Sequence, residues 1–293
     1  MENFIVFSTG IVGLVLAFAV YMYLFIFNVR PKRKITECDD KDCVRCKKYT
    51  EIKEKAVVLY RNYIDDYDSD LLRIQSSVTD INKTRHNRKQ CPNVFFMESL
   101  KSQPWPSETN SDIEQDVNTL KKNISMIQSD FVRIMDSSED HWLINNTPNG
   151  FWEVFHLVNQ GNVVEKNTQL VPKTYDLIEN LKSAMLNTVF GNVAFSVVYP
   201  GTTISDHYGP TNIRLRCHLG LQTSLFCSIV VDGQKKSWRN GKVILFDDSY
   251  LHGVEYTHNV KDENKYRAVL IIDMWHPDIT KEEQKILSYM FPP

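Results

Sequence analysis

The chain has 293 residues, of which 42% are hydrophobic and 24% charged, and its formal charge is −2 at pH 7. That length holds one sizeable domain plus extras, and the composition is ordinary for a packed core. The near-neutral balance, with no basic stripe interleaved with aromatics, argues against a nucleic-acid partner and leaves an acidic one undecided.

In chain order, residues 3–29 carry no charge and are rich in Phe, Val, Ile and Leu. The run exceeds the roughly 20 residues of a bilayer-spanning helix. It is too long for the apolar stretch of a signal peptide and lacks a clear small-residue cleavage site. Residues 1–29 are therefore expected to form an uncleaved transmembrane anchor. Arg30, Lys32, Arg33 and Lys34 follow it directly, a charge bias that by itself places the bulk of the chain in the cytosol. Residues 30–50 read as a basic juxtamembrane linker with Cys38, Cys43 and Cys46. Three thiols without an obvious fourth ligand make a poor structural zinc site, so disulfides, acylation and free thiols stay open. Sequons begin at Asn82, Asn123 and Asn145 and are usable only in a lumenal compartment.

Residues 51–94 read as a helical lead-in, with Ala56, Leu59, Tyr60 and Tyr63 on its apolar side. The segment is short for an array of helical repeats. Ile113, Val117, Leu120, Ile124, Ile127, Phe131 and Ile134 then recur at spacings of four and three, behind a Ser111-x-x-Glu114 capping box. The stripe suits a helix laid on a sheet better than a coiled-coil seam between copies. Trp152, Phe155 and Leu157 lie in a strand-like segment, and residues 175–186 read as a helix. Short strands dominate from there: 193–199, 213–221, 225–231, 242–246, 253–256 and 266–274, with turns at Gly201 and Gly233. Helices followed by many short strands predict a mainly β fold, an antiparallel jelly roll with helices on one sheet. Residues 280–293 predict a short helix capped by Thr280 and Glu283.

The most informative stretch is 206–221. After His207, Tyr208-Gly209-Pro210-Thr211-Asn212 reads as a turn. A period of two follows: Ile213, Leu215, Cys217 and Leu219 face one way, while Arg214, Arg216 and His218 face the other. Two guanidiniums and an imidazole are costly against an apolar core but suit a polar cavity that holds an anion. Further on, an apolar strand runs into Asp247-Asp248-Ser249 and His252, and a third strand opens with Arg267.

The run His-x-Gly-Pro-Thr-Asn-x-Arg-Leu-Arg-x-His-Leu-Gly-Leu from His207 resembles the aspartyl/asparaginyl β-hydroxylase family. So do Gly-Lys-Val-x-x-Phe-Asp-Asp-Ser-x-x-His from Gly241 and Trp-His-Pro from Trp275. The resemblance spans roughly residues 95–279 and is nearest to the short, membrane-anchored members. It implies a double-stranded β-helix with flanking helices and an iron(II)- and 2-oxoglutarate-dependent dioxygenase. Such an enzyme hydroxylates an aspartyl, asparaginyl or similar side chain of a peptide or protein. By the same resemblance His207 and His252 hold the metal. Ser196, Arg216, His218 and Arg267 contact 2-oxoglutarate, and Trp152 lies at the pocket edge. Arg214, on the same strand face, is expected to read an acidic substrate side chain.

Position 209 is glycine, where most such oxygenases carry the carboxylate of a two-histidine, one-carboxylate triad. Asp247 and Asp248 lack triad spacing and read as turn residues that orient His252. The resemblance also implies a catalytic domain in the lumen of the endoplasmic reticulum, against the charge bias. The long relatives that act on epidermal-growth-factor-like domains carry a repeat array that this chain lacks, so substrate identity does not transfer. The rival reading is a catalytically inert, membrane-anchored binding protein on the same fold.

Overall fold

A computed structural model describes residues 49–66, 71–82, 89–106, 110–137, 139–259 and 262–293. The expected anchor and Cys38, Cys43 and Cys46 lie outside the described residues. Among those described, no helix is long and apolar enough to cross a membrane.

Eleven strands among the described residues build two antiparallel sheets. The larger holds β1 (Leu143–Asn146), β2 (Phe151–Asn159), β3 (Asn162–Val163), β4 (Val193–Val198), β6 (Arg214–Gln222), β9 (Val243–Phe246) and β11 (Arg267–Trp275). Its order is β1-β2-β4-β11-β6-β9, with β3 paired to β2. The smaller holds β5 (Thr203–His207), β7 (Cys227–Val231), β8 (Gln234–Ser237) and β10 (His252–Tyr256), in the order β5-β10-β7-β8. From β4 to β11 the chain changes sheet at every connection except the β7–β8 hairpin. That alternation is the expected jelly roll. Gly201 and Gly233 make the turns read from the sequence, both in the left-handed region, at φ of 86° and 74°.

The two faces of the larger sheet differ in kind. On the outer face Phe155, Phe195, Val197, Leu215, Cys217 and Leu219 are buried under helices. These are α3 (Ser111–Lys122) and α4 (Ile124–Ser137), which follow α1 (Tyr49–Asp66) and α2 (Leu72–Thr79) in the chain. The helical stripe of Ile113, Leu120, Ile127, Phe131 and Ile134 lies in that same core, so it serves the sheet. Each such side chain contributes about 1.5–3 kcal/mol by leaving water. The stripe is cut in two at Asn123, whose side chain donates to the Thr119 carbonyl at 2.9 Å. The helix is also capped one residue earlier than expected: Asn110, not Ser111, accepts from the Ile113 N–H at 3.0 Å.

After the single-turn α5 (Glu165–Thr168), the helix expected over 175–186 is α6 (Pro172–Glu179). It stops early because the buried Asp116 carboxylate draws the Lys182 and Ser183 backbone N–H groups out of it, at 3.1 and 2.7 Å. Ala184 then bridges to Met274 at the end of β11. A separate cluster joins Ile52, Ala56, Tyr60 and Ile74 to Ile286 and Leu287 of α7 (Lys281–Met290). The Thr280 and Glu283 capping box opens α7 as read from the sequence.

Candidate metal and anion site

His207 ends β5 and His252 begins β10. They sit directly opposite each other in the pairing of the two strands, with ring centroids 4.1 Å apart. Each Nδ1 lies against the backbone carbonyl two residues back, Ser205 at 2.8 Å and Tyr250 at 2.9 Å. A carbonyl can only accept, so both Nδ1 atoms carry the proton and both Nε2 lone pairs remain for a cation. Burial, reinforced by His207, pushes the pKa of His252 down to about 3, which keeps it neutral at pH 7 as a ligand must be. Two neutral imidazoles fit a divalent first-row metal. Among the described residues no group of three His, Cys, Asp or Glu side chains is placed to hold one. Position 209 has no room for a triad carboxylate, since a Cβ on Gly209 would lie 2.5 Å from the Asp248 carboxyl carbon.

Arg214, Arg216, Asp248 and Asp273 form a buried ionic quartet. Arg214 gives Nε and Nη2 to Asp248 at 3.2 and 2.5 Å, and Nη1 to Asp273 at 3.0 Å and to the Phe190 carbonyl. The guanidinium expected to read an acidic substrate group is therefore already engaged by the fold, which corrects that assignment. Arg216 clamps Asp273 through Nε and Nη2 at 2.8 and 3.1 Å, and keeps 20% of its side chain exposed. Burial opposes its charge, but Asp273 and Asp248 override this and raise its pKa. Burial alone would also raise Asp248, yet Arg214 and Arg216 hold it well below the usual carboxylate range. Asn192 braces the quartet, donating its backbone N–H and side-chain amide to Asp273, each at 3.0 Å. Asp247 is turn chemistry, as expected: it accepts from the Ser249 N–H and hydroxyl and from Gln90, at 2.9, 2.6 and 2.8 Å.

A second set of donors behaves differently. Ser196, His218 and Arg267 are buried on the inner face of the larger sheet. Trp238 donates its indole N–H to His218 Nδ1 at 3.3 Å. Burial, then Arg267, Arg216 and His252, hold His218 far below its ordinary pKa, so the ring is neutral and its one proton sits on Nε2. That Nε2, together with Nε and Nη1 of Arg267, is buried without a hydrogen-bond partner. All three are donors. Such a set is costly on its own and matches an anionic group with several acceptor oxygens.

A cavity of about 630 Å³ adjoins His207 and the ionic quartet. His207, Trp152, Arg214, Arg216 and Asp248 line it, with Leu143, Val154, Ala194 and Ile271 as its apolar part. Trp152 thus stands in the wall, whereas Ser196, His218, Arg267 and His252 do not line the cavity. Sequence reasoning missed Asp273, Asn192 and Trp238. The only local signal for Asp273 is a lone carboxylate in the otherwise apolar Val-Leu-Ile-Ile-Asp-Met-Trp of β11.

The fold and site define a jelly-roll protein with a two-histidine centre beside a buried set of anion donors. The Aspartyl/Asparaginyl beta-hydroxylase family profile matches residues 107–277. Aspartate beta-hydroxylase domain-containing protein 2 of Homo sapiens is 37% identical over 264 residues, which is 87% of this chain and 70% of that protein. Aspartate beta-hydroxylase domain-containing protein 1 of Homo sapiens is 33% identical over 216 residues, 70% of this chain and 52% of that one. The aspartyl/asparaginyl beta-hydroxylase of Mus musculus is 32% identical over 198 residues, 66% of this chain and 26% of the mouse protein. The chain belongs to the aspartyl/asparaginyl β-hydroxylase family.

Proposed function

We propose that this chain is an iron(II)- and 2-oxoglutarate-dependent dioxygenase that hydroxylates an aspartyl, asparaginyl or similar side chain of a peptide or protein. The observation that carries the reading is the meeting of His207 and His252 at 4.1 Å, both Nε2 lone pairs available to one cation. Iron bound there with 2-oxoglutarate supplies the oxidation of an unactivated carbon by dioxygen, with succinate and carbon dioxide as co-products.

The chain's own residues provide grip and aim. Arg267, with Ser196, takes the far carboxylate of the keto-acid. His218 donates from Nε2 to the nearer one. Arg216, clamped by Asp273 and with Nη1 3.5 Å from Asp248, lines the cavity where a substrate carboxylate or amide would sit. Arg214 holds Asp248, and Trp152 walls the substrate side. The uncharged apolar run supports a single-pass anchor at residues 1–29, the family resemblance supports a lumenal catalytic domain, and a glycosidase-sensitive mass shift tests the topology. The rival reading, an inert membrane-anchored binding protein on this fold, draws on the absence of a third protein ligand among the described residues.

Succinate formation from 2-oxoglutarate with iron and ascorbate separates the two. The wild type should turn over, even uncoupled from substrate, and His252→Ala should lose both turnover and iron binding. A wild type that neither turns over nor binds iron favours the inert scaffold.

A further inference from the structure

One aromatic residue touches both halves of the unpartnered donor set. Trp238 follows β8 on the way to β9 and is 1% exposed. Its indole N–H donates to His218 Nδ1, and the two rings stack 17° from parallel with centroids 5.9 Å apart. The guanidinium carbon of Arg267 lies 4.3 Å from the centre of the same ring system. We infer that Trp238 is a positioning residue for the anion site: its N–H fixes the His218 proton on Nε2, and its ring holds the Arg267 guanidinium in place, so that both present their free donors to one carboxylate-bearing ligand.

The argument is one of proton placement and charge. A neutral imidazole has a single N–H, and the nitrogen that carries it is decided by what the other nitrogen meets. An N–H donor at Nδ1 leaves Nε2 as the only place for the proton. Without that donor both tautomers become accessible, and one of them would aim a lone pair at an incoming carboxylate. Arg267 has the complementary need. Among the described residues no carboxylate pairs with it, so besides the Cys227 thiol the negative face of the Trp238 ring is what steadies the cation. One side chain thus sets the orientation of a neutral donor and of a charged one. A tryptophan that merely filled the inner core, where Trp238 also contacts its apolar neighbours, would do neither.

The inference rests on the 2-oxoglutarate reading of the site, and the test keeps the two apart. The full-length chain in detergent micelles, labelled with ¹⁵N-histidine and free of metal, gives one imidazole signal set per residue. His218 is identified among the eight histidines by its loss in His218→Gln. The wild type should show the Nε2-protonated tautomer, and an Nδ1-protonated His218 overturns the inference without any variant. Trp238→Phe keeps a ring under Arg267 and removes the N–H. His218 should then average between tautomers, and calorimetric binding of 2-oxoglutarate should weaken about five- to tenfold, the loss of one buried hydrogen bond. Trp238→Leu, which also removes the ring, should weaken binding further. If Trp238→Phe binds 2-oxoglutarate as the wild type does and leaves the tautomer unchanged, Trp238 is core alone. If the wild type itself binds none, the oxygenase reading fails, and this inference with it.

Discussion

Arg214 and Arg267 sit on adjacent strands, on the same face of the same sheet, and each is 2% exposed. Their surroundings are opposite. Arg214 spends its donors on Asp248, Asp273 and the Phe190 carbonyl, while Arg267 keeps Nε and Nη1 without an acceptor. A saturated guanidinium is part of the scaffold. A buried donor left without an acceptor costs about 1–3 kcal/mol, and a fold that bears that cost three times over in one place is arranged for something that arrives later. Residue type and strand face do not distinguish the two arginines. Their partners do.

The contrast breaks first at Asp273. Asp273→Asn leaves Arg214 and Arg216 sharing Asp248, an uncompensated buried charge that should cost about 3–5 kcal/mol in urea unfolding. A loss below about 1 kcal/mol would mean that the quartet is wet and its arginines are free to serve a ligand. The acids repeat the comparison. Asp247 and Asp248 are neighbours in the chain, yet Asp248 faces two arginines, and burial pushes Asp247 up to about 7 against the pull of Ser249. A folded pKa above the unfolded value of about 4 stabilises the protein fully only below pH 4, and this contribution is lost as pH rises through 7. Its ceiling is on the order of 4 kcal/mol, from roughly three units at about 1.4 kcal/mol each. Unfolding free energies compared at pH 5 and pH 8 should therefore fall more steeply in the wild type than in Asp247→Asn.

Much of this was legible in the sequence where the signal is local. The alternation of Arg214, Arg216 and His218 against Leu215, Cys217 and Leu219 survives intact, and so does the Thr280 and Glu283 cap. The two histidines could be paired because the family motif names both. What escaped depends on register between distant strands. Asp273 meets Arg216 only because β11 and β6 pair Asp273 opposite Arg216, and Trp238 reaches His218 only through the fold. β5 and β8 escaped for another reason. Thr-Ile-Ser-Asp-His and Gln-Lys-Lys-Ser carry no apolar alternation, and each lies at an edge of the smaller sheet where none is required. The expected role of Arg214 failed in the same way, since strand period gives a face but not what stands opposite it.

The same substitution at the two arginines sharpens the contrast most finely. Arg214→Met strips Asp248 and Asp273 of a shared cation and should cost about 3–5 kcal/mol of stability. Arg267→Met removes a charge that burial already disfavours and that no carboxylate among the described residues balances. It forfeits the contact with Trp238, a matter of about 1–2 kcal/mol, but relieves the desolvation of the cation, so the net change in stability should fall within about 1 kcal/mol of zero. Its loss should appear in 2-oxoglutarate affinity instead, weakened roughly 10- to 100-fold for charge-assisted hydrogen bonds worth about 1.5–3 kcal/mol. Equal destabilisation by the two variants, with 2-oxoglutarate binding untouched in Arg267→Met, would make Arg267 a structural residue like Arg214. The unpartnered donors would then need another explanation.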